Sequence, residues 1–569
     1  MADITKIRLD NNDYDIKDAE ARENRIKIIR LSTTDNVQTA LSDTQEKIII
    51  FPAGQTITVT DALILNSDTT IDLNGGTIVF DFQRSSIFTY DWDETLGFMS
   101  YAPDSTYTGY NGVKNIVIKN GSIAGGSSCF LHSKNVTFDG ITFTNSFGSR
   151  HCLQFGGCYD VTVKNCIFNG VKTIADASQS SECINIDPCT YGAQPFIDEL
   201  SSMFDHTRNR NITIENNIFN TTNNTNHGYY TAVGSHGGDN AYIIAENVVI
   251  RGNDFTDPIY SGINIRDYEN VTIANNVLNG DTSSTGQFIV KRGVITNLEI
   301  SNNVAIGVVK FLGSESPTNA MTNVTCTGNN IDADDPNTDT YGVFSLLNAH
   351  NVLIANNKLK FQHHVAFLHS KDYWDGTSEG SSVYCTDIEF SNNTFEKTVN
   401  SAQNWNIRLN STTGVKFVNN NFVHDGTLAT SYYDFLVQNN ISGLEVVSNS
   451  TDAPFKFMNV TQCNNKNHNN TAYYLNIQDG LSSQNTSGTF LKDVTVFRTI
   501  RLTLGGGTNT QVVDLKPYMY PTDYITARTY KFPVAKDDGT YGVATFTITD
   551  ATNWSYVGNI NIRLIHVMD

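Results

Sequence analysis

The chain has 569 residues, of which 17% are charged and 39% hydrophobic, against roughly 25% charged in an average soluble domain. Its 38 basic and 58 acidic residues leave a net charge of −20, which argues against a nucleic-acid partner held through its phosphates. No apolar run of 18 residues occurs that could span a bilayer. Asn, Thr, Ser and Gly, with 25 Tyr and 31 Phe, replace the missing charge. Such a surface of amides and hydroxyls suits repetitive β-structure and sugar binding.

The start, Met1-Ala2-Asp3-Ile4-Thr5, has neither the basic nor the apolar part of a secretory signal, so synthesis in a cytoplasm without export by the usual route is expected. Residues 15–29 carry a helix pattern, with Asp18 and Arg22, and Glu23 and Lys27, four apart. Val37 to Thr44 reads as a short capping helix, and Lys47 to Phe51 followed by Pro52-Ala53-Gly54 as a first strand and turn. An insertion over 81–112 holds Tyr90, Trp92, Tyr101, Tyr107 and Tyr110, an aromatic loop that could cover one end of a groove. The nine Cys include no CxxC pair, so buried free thiols are expected rather than disulfides or zinc, and neither a metal nor a cofactor is called for.

The sequence NVTIANN, Asn270 to Asn276, recurs with variation in twelve copies between Asn115 and Ser448. Their first apolar residues are mostly 20 to 29 apart, with gaps of 36 to 51 where loops must protrude. Each copy alternates apolar and polar residues, the pattern of a short strand with one face inward. Four residues after the first apolar position stand Asn120, Gly140, Asn165, Asn216, Gly252, Asn275, Asn302, Gly328, Asn356, Asn392, Asn419 and Ser448. Asn and Gly tolerate the left-handed conformation best, so the strand ends there and the chain turns a corner. Stacked Asn at that corner are expected to form a hydrogen-bonded ladder. One coil per repeat gives a right-handed parallel β-helix over about 31–480, after a 1–30 attachment segment. From 481 to 569 the pattern changes to alternating strands with GGG and DDG turns, a β-sandwich-like domain.

Solenoids bind extended polymers along faces of stacked outward side chains. In Ile184-Asn185-Ile186-Asp187 the alternation sends Asn185 and Asp187 outward. The same logic exposes Asn264 and Arg266 in Ile263-Asn264-Ile265-Arg266, Gln154 in register with Asn264, and Asn406 with Arg408. The longest insertions, 171–210 and 220–246, hold Glu182, Asp205 and His236, with Arg150 and His151 one coil earlier. Carboxylates, histidines and an arginine on successive coils are what acid/base cleavage of a glycan needs. Asp187 would be the general acid or base, Glu182 or Asp205 its partner, and His236 a tuning or relay group. Arg266 would hold an anionic substituent, with Asn185, Asn264, Gln154, Arg150 and His151 lining the substrate.

Two stretches resemble known families. KIRLDNNDYDIKDAEAR, residues 6–22, resembles a segment that opens many tail and receptor-binding proteins of phages and prophages of Gram-positive bacteria. That resemblance implies attachment to phage tail or baseplate proteins, a homotrimer, and a place in the virion acting outside the host cell. Residues 31–480 resemble the pectate-lyase-like β-helix superfamily. Within them SECINIDP, GSHGG and INIRDYENV follow the order of the Asn-x-Asp, Gly-His-Gly and Arg-x-Lys signatures of polygalacturonase-like hydrolases, on which Asp187, His236 and Arg266 fall. Asp267 and Tyr268 stand where that family has Ile and a substrate-binding Lys, so the implied chemistry is glycan cleavage in general. The resemblances together imply a tailspike that binds and hydrolyses a bacterial surface polysaccharide or teichoic acid. The alternatives are a polysaccharide lyase and a receptor-binding protein that grips its glycan without cleaving it.

Overall fold

In the computed structural model the chain winds as a right-handed parallel β-helix and ends in antiparallel sheets. It describes residues 6–9, 12–15, 26–81, 97–102, 104–147, 151–172, 182–190, 203–220, 229–235, 243–258, 260–280, 286–314, 319–333 and 342–362. Toward the C-terminus it describes 366–369, 385–398, 405–425, 433–438, 443–451, 455–458, 466–468, 473–479, 485–489, 499–506, 509–516, 528–535, 540–550, 553–558 and 562–568. Two compact units divide the chain: Met1–Ile218 with 225–227 and 237–239, and 219–224 with 228–236 and 240–569.

One coil of the second unit shows the construction. Its three sides are the strands Ala245–Arg251, Asp254–Thr256 and Ser261–Ile265. The next coil repeats them as Tyr268–Ala274, Val277–Asn279 and Gln287–Lys291, each paired in parallel with its counterpart. Inward positions then stack in columns: Val271, Leu298, Val324 and Val352 form one, and Ile273, Ile300, Cys326 and Ile354 another. Phe390 lies on Phe417 with centroids 4.7 Å apart and rings 2° from parallel. Burial of these columns supplies the main stabilisation.

All twelve corner positions read from the sequence have positive φ, from 54° at Asn165 to 68° at Gly140 and Gly328, with Ser448 among them at 55°. A second left-handed residue opens each repeat, for instance Asn247, Asn270, Asn297 and Asn323 at 56–58°. The interior ladder is not at the expected corner. It runs one residue later through Asn253, Asn276, Asn303, Asn329, Asn357, Asn393, Asn420 and Asn449, each carboxamide donating to the next. The corner residue turns the chain, and the turn carries the following side chain into the coil.

At the N-terminus Lys6–Leu9 and Asn12–Asp15 pair antiparallel. The helix expected over 15–29 is corrected at its end: Lys27–Arg30 is a strand pairing in parallel with Lys47–Ile50. Most of the rest of that span, 16–25, lies outside the described residues. The capping helix is Val37–Leu41, with Asn36 Oδ1 accepting from Thr39 N at 2.9 Å. At the other end Tyr473–Asp479 pairs in parallel with Phe455–Met458 and antiparallel with Ile562–Met568. Thr499–Gly506 lies between Ile562–Met568 and Asn509–Leu515, and a second antiparallel sheet joins Asn485–Thr489, Asn553–Val557, Tyr541–Ile548 and Thr529–Ala535. No helix among the described residues is long and apolar enough to cross a membrane.

Candidate functional site

In the first unit the third side of the coil stacks Ser128–Leu131, Leu153–Gly156 and Glu182–Asp187. Leu153 and Phe155 pair with Ile184 and Ile186, so Gln154 pairs with Asn185, and Gly156 with Asp187, on the opposite face. The alternation is as expected, but the open, solvated groove is not. Every residue of Glu182–Asp187 is buried, Asn185 and Asp187 fully so. A second layer lies over this face: Met99, Tyr101, Cys129, Leu131, Cys189 and Met203 form one apolar cluster outside the coil. Gly109 N donates to Asp205 Oδ2 at 2.8 Å and the Tyr110 hydroxyl to Arg208 O at 2.9 Å, which ties the aromatic insertion to the segment after Met203. Trp92 and Tyr90 lie outside the described residues.

Asn185 is fully buried with no hydrogen bond to either side-chain polar atom, an arrangement that costs about 1–3 kcal/mol unless a ligand or water fills it. At the head of the same strand Glu182 Oε2 lies 3.5 Å from His151 Nδ1, which is also 3.0 Å from Glu182 O. Glu182 and Asp187 are five residues apart on one extended strand, about 16 Å between Cα atoms at about 3.3 Å per residue. Paired glycosidase carboxyls are about 5–9.5 Å apart. Glu182 is therefore a poor direct partner for Asp187.

Asp205 belongs to a segment running beside the chain just past Asp187. Asn209 Nδ2 donates to Asp187 O at 2.8 Å, and His206 N donates to Cys189 O at 3.2 Å. Burial pushes the Asp205 carboxyl up, but hydrogen bonds from Thr207 and from Gly109 N outweigh it, and His132 adds to them, so the group is held below the ordinary carboxylate value. Asp205 is thus kept ionised.

In the second unit Ser261–Ile265 lies between Thr231–Gly234 and Gln287–Lys291. Asn264 is buried and donates from Nδ2 to Ser235 O at 3.1 Å. Arg266 Nε stands 3.8 Å from Asp267 Oδ2, while Asp267 Oδ1 accepts from Val294 N at 2.7 Å. Burial raises the Asp267 carboxyl above its usual value. In register with Ile265 is Lys291, fully buried, its ammonium donating to Asn319 O. Burial pushes Lys291 down to about 7, against the opposing pull of Asp267. Nothing in the sequence marked Lys291, which reads as the polar end of an apolar strand. His236 and Arg150 lie outside the described residues, as does the side chain of Asn406, while Arg408 pairs with Phe367 and Leu436. Among the described residues no three His, Cys, Asp or Glu side chains converge as a metal site.

No family model matches the sequence. Plasmin and fibronectin-binding protein A of Streptococcus pneumoniae is 26% identical over 298 residues, which are 48% of this chain and 40% of that protein. The chain thus spans about two fifths of the length of that curated relative. Among solved structures, the Streptococcus pneumoniae surface protein and adhesin PfbA aligns with TM-score 0.43 and 17% identity, over 77% of this chain and 94% of that one. The tailspike of Escherichia coli bacteriophage HK620, in complex with a pentasaccharide, aligns with TM-score 0.37 and 11% identity, over 99% of this chain and 96% of that one. Tailspike protein 3 of bacteriophage CBA120 aligns with TM-score 0.35 and 10% identity, over 74% and 56%.

Proposed function

We propose that the chain is a phage tailspike that binds and hydrolyses a bacterial surface polysaccharide or teichoic acid. The supporting observation is the polar row Gln154, Asn185 and Asp187 on the outward side of a sheet whose inward side is apolar, with Asn185 making no hydrogen bond of its own. A hydroxyl-rich polymer supplies the donor and acceptor that the Asn185 carboxamide lacks. Asp187 protonates the leaving oxygen, and Asp205, held ionised, activates the attacking water. His151 and Glu182 hold the head of the strand, Asn185 and Gln154 grip the sugar, and Asn264 and Arg266, in the second unit, keep the substrate-binding roles their motifs suggest. His236 and Arg150 keep the relay and binding roles their motifs suggest. The N-terminal segment attaches to tail or baseplate proteins of a Gram-positive phage, and the spike is a homotrimer, the closed symmetry usual for such assemblies. Sedimentation as a stable monomer would count against the trimer.

The test is incubation with purified Gram-positive wall polysaccharides and teichoic acids. Hydrolysis gives new reducing ends without ultraviolet-absorbing unsaturated products. Asp187→Asn is expected to slow their release about 10²–10⁴-fold while binding is kept. If no substrate yields new ends, a gripping adhesin remains, of which the protein-binding streptococcal relative is one kind by its name.

A second reading has its own observation. Lys291, pushed down to about 7 and so about half uncharged at pH 7, is in register with the residue before Arg266. A base beside a cation is what β-elimination of a uronate requires, and unsaturated ends lost in Lys291→Met would identify a lyase.

A further inference from the structure

The first side of the coil in the second unit carries a separate feature. A depression of about 430 Å³ opens on its outer face, lined by Asn247, Asn270, Asn297 and Asn323, by Val249, Thr272, Glu299 and Thr325, and by Val271 and Leu298. Its volume is within the usual range of ligand sites. The four asparagines are exposed and form one rim. Asn270 donates to Asn247 at 3.2 Å, Asn297 to Asn270 at 2.8 Å and Asn323 to Asn297 at 3.0 Å. Asn351 extends the row, donating to Asn323 at 2.8 Å. Val249, Thr272, Glu299 and Thr325, in register on successive strands, form the other rim.

The backbone does not require this run of asparagines. The same corner, at the same positive φ, is filled by Asp387, Gly414 and Gly443 further along, and by Asp68 and Asp160 alternating with Asn115, Asn135 and Asn211 in the first unit. Five consecutive Asn occur on the coils that carry the depression and the one after them. Asn270, Asn297 and Asn323 each use one N–H and one acceptor position within the row, which leaves a second N–H and a second lone pair facing outward on each. These repeat at the strand spacing of about 4.8 Å, close to the length of one pyranose unit. The rims add hydroxyls and the Val249 side chain, the floor is the backbone at Val271 and Leu298, whose side chains point into the coil, and among the described residues Glu299 is the one ionisable lining group.

We propose that this depression is a second glycan site, which takes an extended neutral oligosaccharide along the coil axis. The amides and threonine hydroxyls bond its hydroxyl or acetamido groups, and the sugar's C–H face lies against Val249, the aliphatic side chain on the outward row. A single carboxylate without a lining cation selects against anionic polymers. The site deepens the glycan-binding reading but is independent of any cleavage at Asp187. Its role is to hold a polymer on the protein between encounters with a separate cleaving site.

Titration calorimetry of the full chain with cellohexaose and with chitohexaose tests the assignment. Binding of at least one is expected, weakened tenfold or more in Thr272→Trp, which fills the depression. Asn297→Gly, which breaks the rim but keeps the left-handed backbone, is expected to weaken it several-fold. Thr325→Trp repeats the filling test on the next coil if Thr272→Trp loses the wild-type circular dichroism. Binding of neither sugar overturns the proposal, and so does affinity unaffected by filling.

Discussion

Asn303 accepts two hydrogen bonds from Asn276, from the backbone N–H at 2.9 Å and from the carboxamide at 3.0 Å. It donates its own two N–H groups to Ile273 O at 2.9 Å and to Asn329 Oδ1 at 3.0 Å. Every hydrogen-bonding position of the buried amide is therefore used. The unit repeats from coil to coil, so the polar corner of the solenoid is satisfied without water.

Asn303→Ala strands the two donors of Asn276 in the interior and takes one bond each from Ile273 O and from Asn329 Oδ1, which keeps the bond from Asn303 N. Each such orphan costs about 1–3 kcal/mol, so a loss of about 3 kcal/mol or more is expected in denaturant unfolding. Asn297→Gly, on the exposed row, is expected to change stability by less than about 1 kcal/mol, since glycine keeps the left-handed backbone. Equal losses in the two variants would refute the distinction between the rows.

The position of the corner was legible in the sequence because a left-handed residue is a local demand, met by Asn, Gly or Ser in each copy. Which Asn of each Asn-Asn pair turned inward was not, because the two are chemically identical and only the turn geometry separates them. The alternation of Asn185 and Asp187 was also legible, being a property of one strand. Their burial was not, because it depends on contacts such as Gly109 N to Asp205 Oδ2 between residues 96 apart in sequence. Glu182 and Asp187 seemed close in sequence for the opposite reason: five residues are few, but an extended strand makes them distant.

Asp205 joins the aromatic insertion to the segment beside Asp187 by accepting from Gly109 N at 2.8 Å and Thr207 N at 2.9 Å. Its carboxyl is held below 3.8, so the stability it contributes is present above that value and is lost as pH falls through the lower folded one. Asp205→Ala is expected to cost about 2 kcal/mol, in the range for hydrogen bonds to a charged group. Its melting temperature should also fall less steeply between pH 4 and pH 2 than that of the wild type.

The thiols are expected to be inert. All eight cysteines among the described residues are buried and unbridged. Burial pushes Cys129, Cys158 and Cys166 up to about 12, and Cys189 and Cys326 higher still. Since the thiolate is the reactive form, native Cys463→Ser protein should not react with a thiol reagent at pH 8, and all eight should react in denaturant. Rapid native labelling of any of the eight would contradict the burial.

Lys291 gives the clearest pH signature. Its ammonium is buried, and its value falls from 10.5 in the open chain to about 7 in the fold. Between these values the unfolded chain binds the proton and the folded chain does not, so stability rises as pH rises from about 7 to about 10.5 and is insensitive to this group below 7. Removing the amine removes that dependence. Lys291→Met keeps most of the aliphatic stem and leaves Asn319 O without its donor, which costs about 1 kcal/mol. Relieving the burial of a titrating amine outweighs that cost at pH 7. Melting temperatures measured from pH 7 to pH 10 should therefore climb in the wild type and stay nearly level in Lys291→Met, with the variant the more stable at pH 7. A wild-type curve that falls over this interval would show that Lys291 is charged in the fold, and it would also remove the base on which the elimination reading depends.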